Sequence, residues 1–299
     1  MNSGTIDCSI GIMAYNEEAN IGRLLEAVLG QNLSVCRLGE IYVVSSGCTD
    51  RTEDIVRDFM KKDERIRLLV QKERKGKASA INLFLSHARG DVLFVESGDT
   101  VPEPDTLEKL ARPFLDDGVG MTGGRPVPVN GRDDFIGYAV HLLWNLHHRI
   151  ALRHPKLGEL VAFRNVVGEI PVNTAVDEAS MEAIVREAGL RLEYVGDARV
   201  LNKGPENVGD FLKQRRRIAI GHLHLKNKQG YSVSTTSLKN TLAALAAETE
   251  WGVRTVAWTL GAVLLEAYAR ASGSFDFFIR KRNPFVWDIA ESTKNVSGS

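Results

Sequence analysis

The sequence predicts an α/β fold with a mostly parallel central sheet. Over residues 7–105, short apolar segments alternate with segments whose apolar residues recur every three or four positions, which is the spacing of one helix face. Each apolar segment ends in a polar loop, and strands that alternate with helices form βαβ units with parallel strands. With 43% hydrophobic and 25% charged residues, the composition is that of an ordinary globular protein.

Four strands and four helices are predicted in this first part of the chain. The helices are identified by apolar residues at helical spacing, and the strands by short apolar runs between polar loops. The predicted strands are Ser9–Met13, Ile41–Val44, Ile66–Val70 and Val92–Val95, and the predicted helices surround residues 21–29, 55–60, 80–85 and 107–115.

The pattern changes after about residue 118. A strand and loop rich in Gly and Pro come first, and helices dominate the remainder. The Ser- and Gly-rich tail beyond Lys294 is expected to be disordered. The predicted elements are a strand and loop over 121–129, helices over 133–152, 180–188 and 210–226, a strand over 191–195, and a mostly helical segment over 238–270.

Charge and cysteine content exclude several classes of protein. The 38 basic and 38 acidic residues cancel, so nucleic acid is not an expected partner. The three cysteines are widely spaced and match no metal site, which indicates reduced thiols and a cytoplasmic protein. No signal peptide is recognisable at the N-terminus, and no apolar stretch reaches the roughly 18 residues of a membrane-spanning helix.

Polar side chains follow the predicted strands at the edge of the sheet where ligands of such folds bind, and they point to a ligand of nucleotide type. Glu96 and Asp99 stand at the end of the fourth strand. Carboxylate oxygens suit Mg²⁺, which uses one or two of them together with substrate phosphates. Two alternatives remain open: Asp99 could cap the following turn through its side chain, and Glu96 could form a salt bridge inside the sheet.

Lys77 lies in a second candidate binding segment, Gly76–Ala80, which directly precedes a predicted helix. Backbone N–H groups at a helix N-terminus suit a phosphate or a carboxylate, and the lysine adds positive charge. The segment lacks the second glycine of a P-loop. The alternative interpretation is therefore a solvated loop.

Two charged segments are candidates in the second part of the chain. The adjacent carboxylates Asp177 and Glu178 could act as a general base on a hydroxyl, or they could form the acidic first turn of a helix. Gln214 and Arg217 lie in a basic segment. Arginine binds phosphate with two parallel hydrogen bonds, but a solvated helix face is the usual alternative for such a segment.

Taken together, these segments resemble the family 2 glycosyltransferases with the GT-A fold. The resemblance covers roughly residues 7–220, and five motifs occur in the order known for the family. The matching segments are Ala14-Tyr15-Asn16-Glu17-Glu18, Val43 to Thr52 (against Val-Val-Asp-Asp-Gly-Ser-Thr-Asp-Gly-Thr), Gly76-Lys77 to Asn82, Ser97 to Pro102 (against Asp-x-Asp-Thr-Val-Pro), and Gln214-x-x-Arg217-Ile218.

The chain departs from the family pattern at four places, one of which is Ile218, where the Gln-x-x-Arg-Trp signature of polysaccharide synthases has Trp. Ser45 and Ser46 replace two aspartates, one of which usually contacts the base of the donor in such enzymes. Ser97 replaces the first metal-binding aspartate, which leaves Asp99 as the family-position ligand. The acidic pair on the acceptor side is inverted, and counting back from the following Ala-Gly puts Glu178 at the position of the base.

The resemblance implies a GT-A (Rossmann-like) nucleotide-diphospho-sugar transferase fold with a mostly parallel central sheet and a helical C-terminal extension. A catalytic domain is expected over residues 1–228, with a nucleotide-binding half over about 7–118 and an acceptor half over about 119–228. The extension is expected over residues 229–299, including the disordered tail.

The implied activity is inverting transfer of a sugar from a nucleotide-sugar to a hydroxyl acceptor, such as a glycan, a lipid-linked precursor or a polysaccharide precursor of the cell envelope. A divalent metal, Mg²⁺ or Mn²⁺, is the implied cofactor. Two alternatives are a nucleotidyltransferase acting on a sugar phosphate and a catalytically inactive relative that binds nucleotide-sugars. The implied site residues are Glu178 or Asp177 as the base, Asp99 and Glu96 for the metal, and Ala14, Tyr15, Asn16, Glu17, Ser45, Ser46, Lys77, Ser97, Gln214 and Arg217 for the donor.

Residues 251–268 are a candidate for contact with a membrane surface. Val256–Leu265 is apolar and lies between charged residues, and Trp251, Trp258 and Tyr268 could sit at a membrane interface. The alternative is a helix that packs on the catalytic domain. In either case we expect a cytoplasmic protein whose membrane contact, where there is any, is peripheral.

Overall fold

The computed structural model describes residues 4–172, 174–231, 241, 244–245, 252–281 and 291–293. It confirms an α/β fold around one sheet of eight strands. The predicted tail beyond Lys294 and residues 238–240, 242–243 and 246–251 of the predicted C-terminal helical segment lie outside the described residues.

Strands and helices alternate through the first half, as the hydrophobic pattern predicts. The strands are β1 Ile6–Ala14, β2 Cys36–Ser46, β3 Ile66–Gln71, β4 Val92–Ser97, β5 Thr100–Pro102, β6 Val119–Pro128, β7 Val161–Arg164 and β8 Arg191–Asn202. The helices are α1 Ile21–Leu29, α2 Thr52–Met60, α3 Lys77–Leu85, α4 Thr106–Ala111, α5 Phe135–Ala151, α6 Asp177–Glu187, α7 Val208–Gln229 and α8 Val253–Phe278, with short 3-10 helices at Arg112–Leu115 and Glu291–Thr293.

Three elements differ from the prediction. β5 and β7 were not predicted, because a strand of three or four residues is too short to show a period. Helix α6 begins at Asp177, three residues before the predicted start at Ser180. Neither Asp177 nor Glu178 caps this helix, because both lie within it and its N-cap, Val176, makes no side-chain hydrogen bond.

The sheet has the strand order β3-β2-β1-β4-β7-β6-β8-β5. Strands β1 to β4 pair in parallel, β7 is inserted antiparallel between β4 and β6, and β6 pairs in parallel with β8. β4, β6 and β8 therefore run in one direction, and β7 starts at the edge where they end. This edge, which we call the carboxyl edge, collects the loops after β1, β2 and β4.

Helices cover both faces of the sheet. One face packs α1, α2 and α4 through buried residues such as Leu24, Val56 and Leu107. The other face packs α3 and α6, for example through Phe84 and Met181. Because α3 leads into β4 and α6 leads into β8, and these strands run in one direction, both helices start at the carboxyl edge and bring their first residues there.

Helices α5, α7 and α8 pack together beside the sheet. Arg215 of α7 binds Glu266 of α8 through two nitrogens, at 2.7 and 2.8 Å, and Arg216 forms an ion pair with Asp276. Among the helices that the structure describes, none combines the length and apolar composition needed to cross a membrane.

Candidate active site

The loops after β1, β2 and β4 are tied together at the carboxyl edge. Asn16 adopts a positive φ of 50°, and its side-chain oxygen accepts a hydrogen bond of 2.8 Å from the backbone N–H of Thr49. The backbone N–H of Glu17 donates to the Thr52 hydroxyl at 2.7 Å. Gly98 packs so closely on Glu17 that a Cβ at Gly98 would stand 2.8 Å from its Cγ. The predicted donor residues 14–17 therefore have a fixed position beside the end of β4.

The two serines that replace the family aspartates lie buried at the end of β2. The Ser45 hydroxyl donates to Glu53 at 2.7 Å, and the Ser46 hydroxyl donates to Gln71 at 2.9 Å. These hydroxyls are thus occupied by side chains of the protein. Beside them, the Arg74 guanidinium lies 4.2 Å from the centre of the Tyr15 ring, so a stacked aromatic and guanidinium pair borders the same loop.

Lys77 and Glu178 form an ion pair across the carboxyl edge. Lys77 is the first residue of α3 and follows Gly76, whose φ of 89° suits glycine. Its Nζ donates to Glu178 Oε1 at 2.6 Å. Burial alone would lower the pKa of Lys77, but the carboxylates of Glu178 and Asp177 raise it above its ordinary value. Burial likewise would raise the pKa of Glu178, and Lys77 lowers it. Both groups are therefore charged and bound to each other.

Asp177 differs from its neighbour in both contacts and charge. Its side chain is buried, with 2% exposure, and its Oδ1 has no hydrogen-bond partner among the described residues. Burial and the adjacent Glu178 carboxylate raise the pKa of Asp177 to about 7. Of the two candidate bases, Asp177 therefore has an oxygen available to accept a proton, whereas Glu178 is held by Lys77.

Glu96 and Asp99 stand at the end of β4. Glu96 is fully buried, and its Oε1 accepts a hydrogen bond of 2.9 Å from the Thr100 hydroxyl. Its Oε2 has no hydrogen-bond partner in the described part of the chain. Burial raises the pKa of Glu96 to about 8, and Asp99 and Glu159 add to the shift.

Glu159 is a carboxylate near the carboxyl edge that the sequence pattern did not single out. It lies in the loop before β7 at a positive φ of 62°. Burial and the Asp99 carboxylate raise the pKa of Glu159 to about 7. The sequence signal that could have identified Glu159 is its position directly before the apolar residues of β7. Asp99 was identified by the opposite arrangement, a carboxylate after the apolar residues of β4.

Arg217 brings positive charge to this group of carboxylates. Burial lowers the pKa of its guanidinium, and Asp177, Glu159, Glu178 and Asp99 oppose the shift. Its neighbours Arg215 and Arg216 instead bind α8. Gln214 is half-buried one helical turn before Arg217 and shares its face of α7.

The carboxylates at the end of β4 fit a divalent cation. No three His, Cys, Asp or Glu side chains of the described residues are grouped closely enough to hold a metal ion on their own. Mg²⁺, however, usually binds through one or two carboxylates and completes its shell with water and substrate phosphates. The buried Oε2 of Glu96 and the half-buried Asp99 are oxygen donors of this kind.

Part of the sequence resembles known glycosyltransferases. Curated relatives include the glycosyltransferase AglE of Haloferax volcanii, 31% identical over 39% of this chain and 38% of its own length. The probable glycosyltransferase YdaM of Bacillus subtilis is 36% identical over 36% of this chain and 26% of its own length. A dolichyl-phosphate β-glucosyltransferase of Drosophila melanogaster is 30% identical over 40% of this chain and 41% of its own length. The matches thus span less than half of these relatives.

Solved structures share the fold. A mannosyltransferase from Pyrobaculum calidifontis in complex with GDP-Man and Mn²⁺ has a TM-score of 0.64 at 22% identity, covering 93% of this chain and 88% of that one. Glucosyl-3-phosphoglycerate synthase from Mycobacterium tuberculosis in complex with Mn²⁺, UDP and glucosyl-3-phosphoglycerate has a TM-score of 0.51 at 18% identity, over 77% of this chain and 82% of that one. The family model of Glycosyl transferase family 2 matches residues 9–184 of 299, more than half of the sequence. The chain therefore belongs to glycosyltransferase family 2.

Proposed function

We propose that the protein transfers a sugar from a nucleotide-sugar to a hydroxyl acceptor with inversion at the anomeric carbon. The observation that carries the proposal is the ion pair between Lys77 and Glu178 at the carboxyl edge, which sets the start of α3 against the start of α6 and brings Asp177 there. The charge of Arg217 on α7 acts on the same carboxylates. Two cations suit a diphosphate, and a carboxylate with a free oxygen suits the removal of a proton from a hydroxyl.

The donor side of the proposed site is formed by the loops after β1 and β2. Tyr15 and Glu17 would hold the nucleoside, with the ring of Tyr15 stacked on Arg74 at its border. Ser45, whose buried hydroxyl donates to Glu53, would support this loop from beneath. Lys77 and Arg217 would face the diphosphate. Asp99, and Glu96 behind it, would hold a divalent metal, which neutralises charge on the leaving diphosphate when bound. Family membership and Mn²⁺-bound structural relatives support this arrangement.

We propose Asp177 rather than Glu178 as the base. Family position favours Glu178, but its carboxylate is bound to Lys77 at 2.6 Å. Asp177 has a buried oxygen without a hydrogen-bond partner among the described residues. In an inverting transfer the base lies behind the anomeric carbon and takes the proton as the acceptor oxygen attacks. The Lys77–Glu178 pair would then fix the start of α6, and with it the position of Asp177.

The nucleoside of the donor is proposed from the ligands of the structural relatives. The Pyrobaculum enzyme was solved with GDP-Man and the Mycobacterium enzyme with UDP. Both are nucleoside diphosphate complexes with Mn²⁺. We therefore propose a nucleoside diphosphate sugar of guanosine or uridine as the donor.

The direct test is a thermal-shift screen of GDP- and UDP-sugars with Mn²⁺ and with a chelator. A ligand that binds the folded state raises the melting temperature by mass action. We expect one nucleoside diphosphate, and its sugar, to raise the melting temperature only when Mn²⁺ is present, because carboxylates dominate the site. Calorimetric titration should rank the affinities of these nucleotides in the same order as the rise in melting temperature. Equal nucleotide affinity with the chelator would remove the metal from the proposed mechanism.

Replacing Arg217 by alanine should weaken binding of the nucleoside diphosphate and leave the fold intact. One charge-assisted contact is worth about 1.5–3 kcal/mol, which corresponds to a dissociation constant roughly ten or more times higher. Calorimetric titration of GDP and UDP measures the change. Lys226→Ala, an exposed position on the same helix, is the matched control. If both variants bind like the original protein, Arg217 has no part in phosphate binding.

Peripheral membrane contact through α8 is a further proposal. The inner face of this helix packs on α5, where Trp258 contacts Phe135 and Tyr138, so Trp258 does not belong to the outer face. Trp251 lies outside the described residues. The outer face exposes large apolar side chains along its length, namely Val253, Leu260, Val263, Leu264, Tyr268, Phe275 and Phe278.

Co-sedimentation with anionic liposomes tests this proposal. Leu264 is 69% exposed, and Leu264→Asp should lower the bound fraction, because a charge on the apolar face opposes insertion. Leu115→Asp, at a 56% exposed position far from α8 in the sequence, is the control. Equal sedimentation of all three proteins would leave packing on the catalytic domain as the sole role of α8.

A further inference from the structure

Gly221 lies in the interior of helix α7, where glycine is unfavourable. The helix extends over Val208–Gln229, and glycine is less stable than alanine inside a helix. A glycine at such a position usually has a packing or functional reason. A Cβ at Gly221 would stand 2.7 Å from Val176 Cγ1, and 3.2 and 3.3 Å from two atoms of Ala175. Gly221 therefore allows α7 to lie directly against the turn that precedes Asp177.

The turn before α6 is held in place by hydrogen bonds. The backbone N–H of Val176 donates to the Thr174 hydroxyl at 3.2 Å. The Ser180 hydroxyl donates to the Val176 carbonyl at 3.2 Å and lies 3.0 Å from the Thr174 hydroxyl. The ion pair between Lys77 and Glu178 holds the first turn of α6 from the side of α3. The turn therefore has little freedom to move away from α7.

Helix α7 is packed closely on its other side as well. A Cβ at Gly273 of α8 would stand 3.0 Å from the Arg216 carbonyl oxygen and 3.1 Å from Ala219 Cβ. Arg216 also forms an ion pair with Asp276 of α8. A side chain at Gly221 could therefore not be accommodated by withdrawal of α7 alone, and part of the shift would fall on the turn before α6.

Arg217 shares the face of α7 on which Gly221 lies, because residues four positions apart are neighbours on a helix surface. The close approach that brings Gly221 to Val176 thus also brings Arg217 toward Asp177, the residue after Val176. Burial lowers the pKa of the Arg217 guanidinium, and the Asp177 carboxylate is the strongest of the charges that oppose this shift. The contact at Gly221 and the charges of the site agree on this arrangement.

We propose that Gly221 is a positioning residue for sugar transfer, because it sets the separation between the Arg217 guanidinium and the Asp177 carboxylate. The inference rests on the proposed function, in which Arg217 faces the diphosphate and Asp177 takes the proton of the acceptor. Opening a contact of 2.7 Å to the ordinary range of 3.4–4 Å requires a shift of roughly 1 Å, and a misplacement of that size can lower a rate by about 10²-fold.

Gly221→Ala tests the inference by separating rate from binding. Release of GDP from GDP-mannose, and of UDP from UDP-glucose, is followed with Mn²⁺ and with glycerol as the hydroxyl acceptor. The maximal rate should fall by about 10²-fold. The dissociation constants of GDP and UDP should change little, because the long Arg217 side chain can follow a phosphate whereas the short Asp177 side chain cannot follow the acceptor. Gly22→Ala in α1, where a Cβ would stand 3.7 Å from Ile55 Cγ2, is the control and should leave rate and binding unchanged.

A second substitution separates positioning from packing. Val176→Ala removes the Cγ1 atom that a Cβ at position 221 would meet, and combined with Gly221→Ala it should restore most of the rate. Where Gly221→Ala does not fold, Val176→Ile enlarges the same contact from the opposite side and should lower the rate in its place.

An unchanged rate in the folded variant with the enlarged contact overturns the inference. A loss of rate in Gly221→Ala that Val176→Ala does not restore, or an equal loss of rate and of nucleotide affinity, overturns it as well. These results leave the proposed function in place, because the original protein still releases the nucleoside diphosphate. A lack of both nucleotide binding and diphosphate release in the original protein contradicts the function itself.

Discussion

Replacing Asp177 by asparagine is expected to lower the rate of sugar transfer by about 10²–10⁴-fold, the usual contribution of a positioned base. Donor binding should remain, because asparagine has nearly the same shape and the phosphate-binding cations are unchanged. Steady-state transfer to a verified acceptor gives the rate, and calorimetry gives the donor affinity. Glu187→Gln, an exposed position on the same helix, is the control. Near-normal turnover in both Asp177→Asn and Glu178→Gln would exclude either carboxylate as the base.

The pH profile gives an independent test of the same residue. Burial and Glu178 raise the pKa of Asp177 to about 7, and only the ionised carboxylate can accept a proton. The transfer rate of the original protein should therefore rise with pH up to about 7 and become constant above it. This rise should be missing in Asp177→Asn. A profile that is flat from pH 5 to 8, roughly the range in which such a base is tuned, would contradict the assignment.

Replacing Glu108 by alanine should destabilise the protein by about 2–4 kcal/mol, because several donors lose a charged acceptor at once. The Glu108 carboxylate of α4 accepts from the backbone N–H groups of Ser34, Val35 and Cys36. It also accepts from the Ser34 hydroxyl at 2.7 Å. These contacts hold the chain where it enters β2. Urea unfolding measures the loss, and Glu26→Ala, an exposed position on α1, is the control.

The same carboxylate predicts a pH dependence of stability. Burial would raise the pKa of Glu108, but the hydrogen bonds from Ser34, Cys36 and Val35 lower it to about 2 from its ordinary 4.5. A lowered pKa in the folded state means that the stabilisation is present above the ordinary pKa and is lost as the pH falls toward 2. The difference in unfolding free energy between the original protein and Glu108→Gln should shrink over this window. A constant difference would show that the charge contributes nothing.

The first half of the fold was predictable because its apolar residues recur at regular spacing along each helix and its strands form distinct apolar runs. In α1, Ile21, Leu24, Leu25 and Val28 recur at helical spacing, and all four are buried. The position of the site followed from the same pattern, since parallel strands bring their carboxyl ends together. The strand β7 was missed because its four residues, Val161–Arg164, show no period of their own.

The pairing of side chains within the site could not be predicted. Lys77 and Glu178 are 101 positions apart, and both were expected to face substrate. Their ion pair depends on α3 and α6 starting at the same edge of the sheet, which follows from strand order. Glu159 likewise comes to the carboxyl edge through the insertion of β7 beside β4. Local pattern identified the chemical groups, and topology decided which of them are neighbours.

Three consecutive arginines on α7 interact with two different parts of the molecule, namely α8 and the carboxylates of the candidate site. Successive residues of a helix point roughly 100° apart, so Arg215 and Arg216 bind Glu266 and Asp276 of α8 while Arg217 faces the carboxylates of the site. A movement of α8 that carried Arg215 and Arg216 with it would also move Arg217, and with it the charge that the proposed diphosphate would meet. A coupling of that kind is reciprocal, so donor binding would then change the affinity of the outer face of α8 for a membrane surface by the same factor.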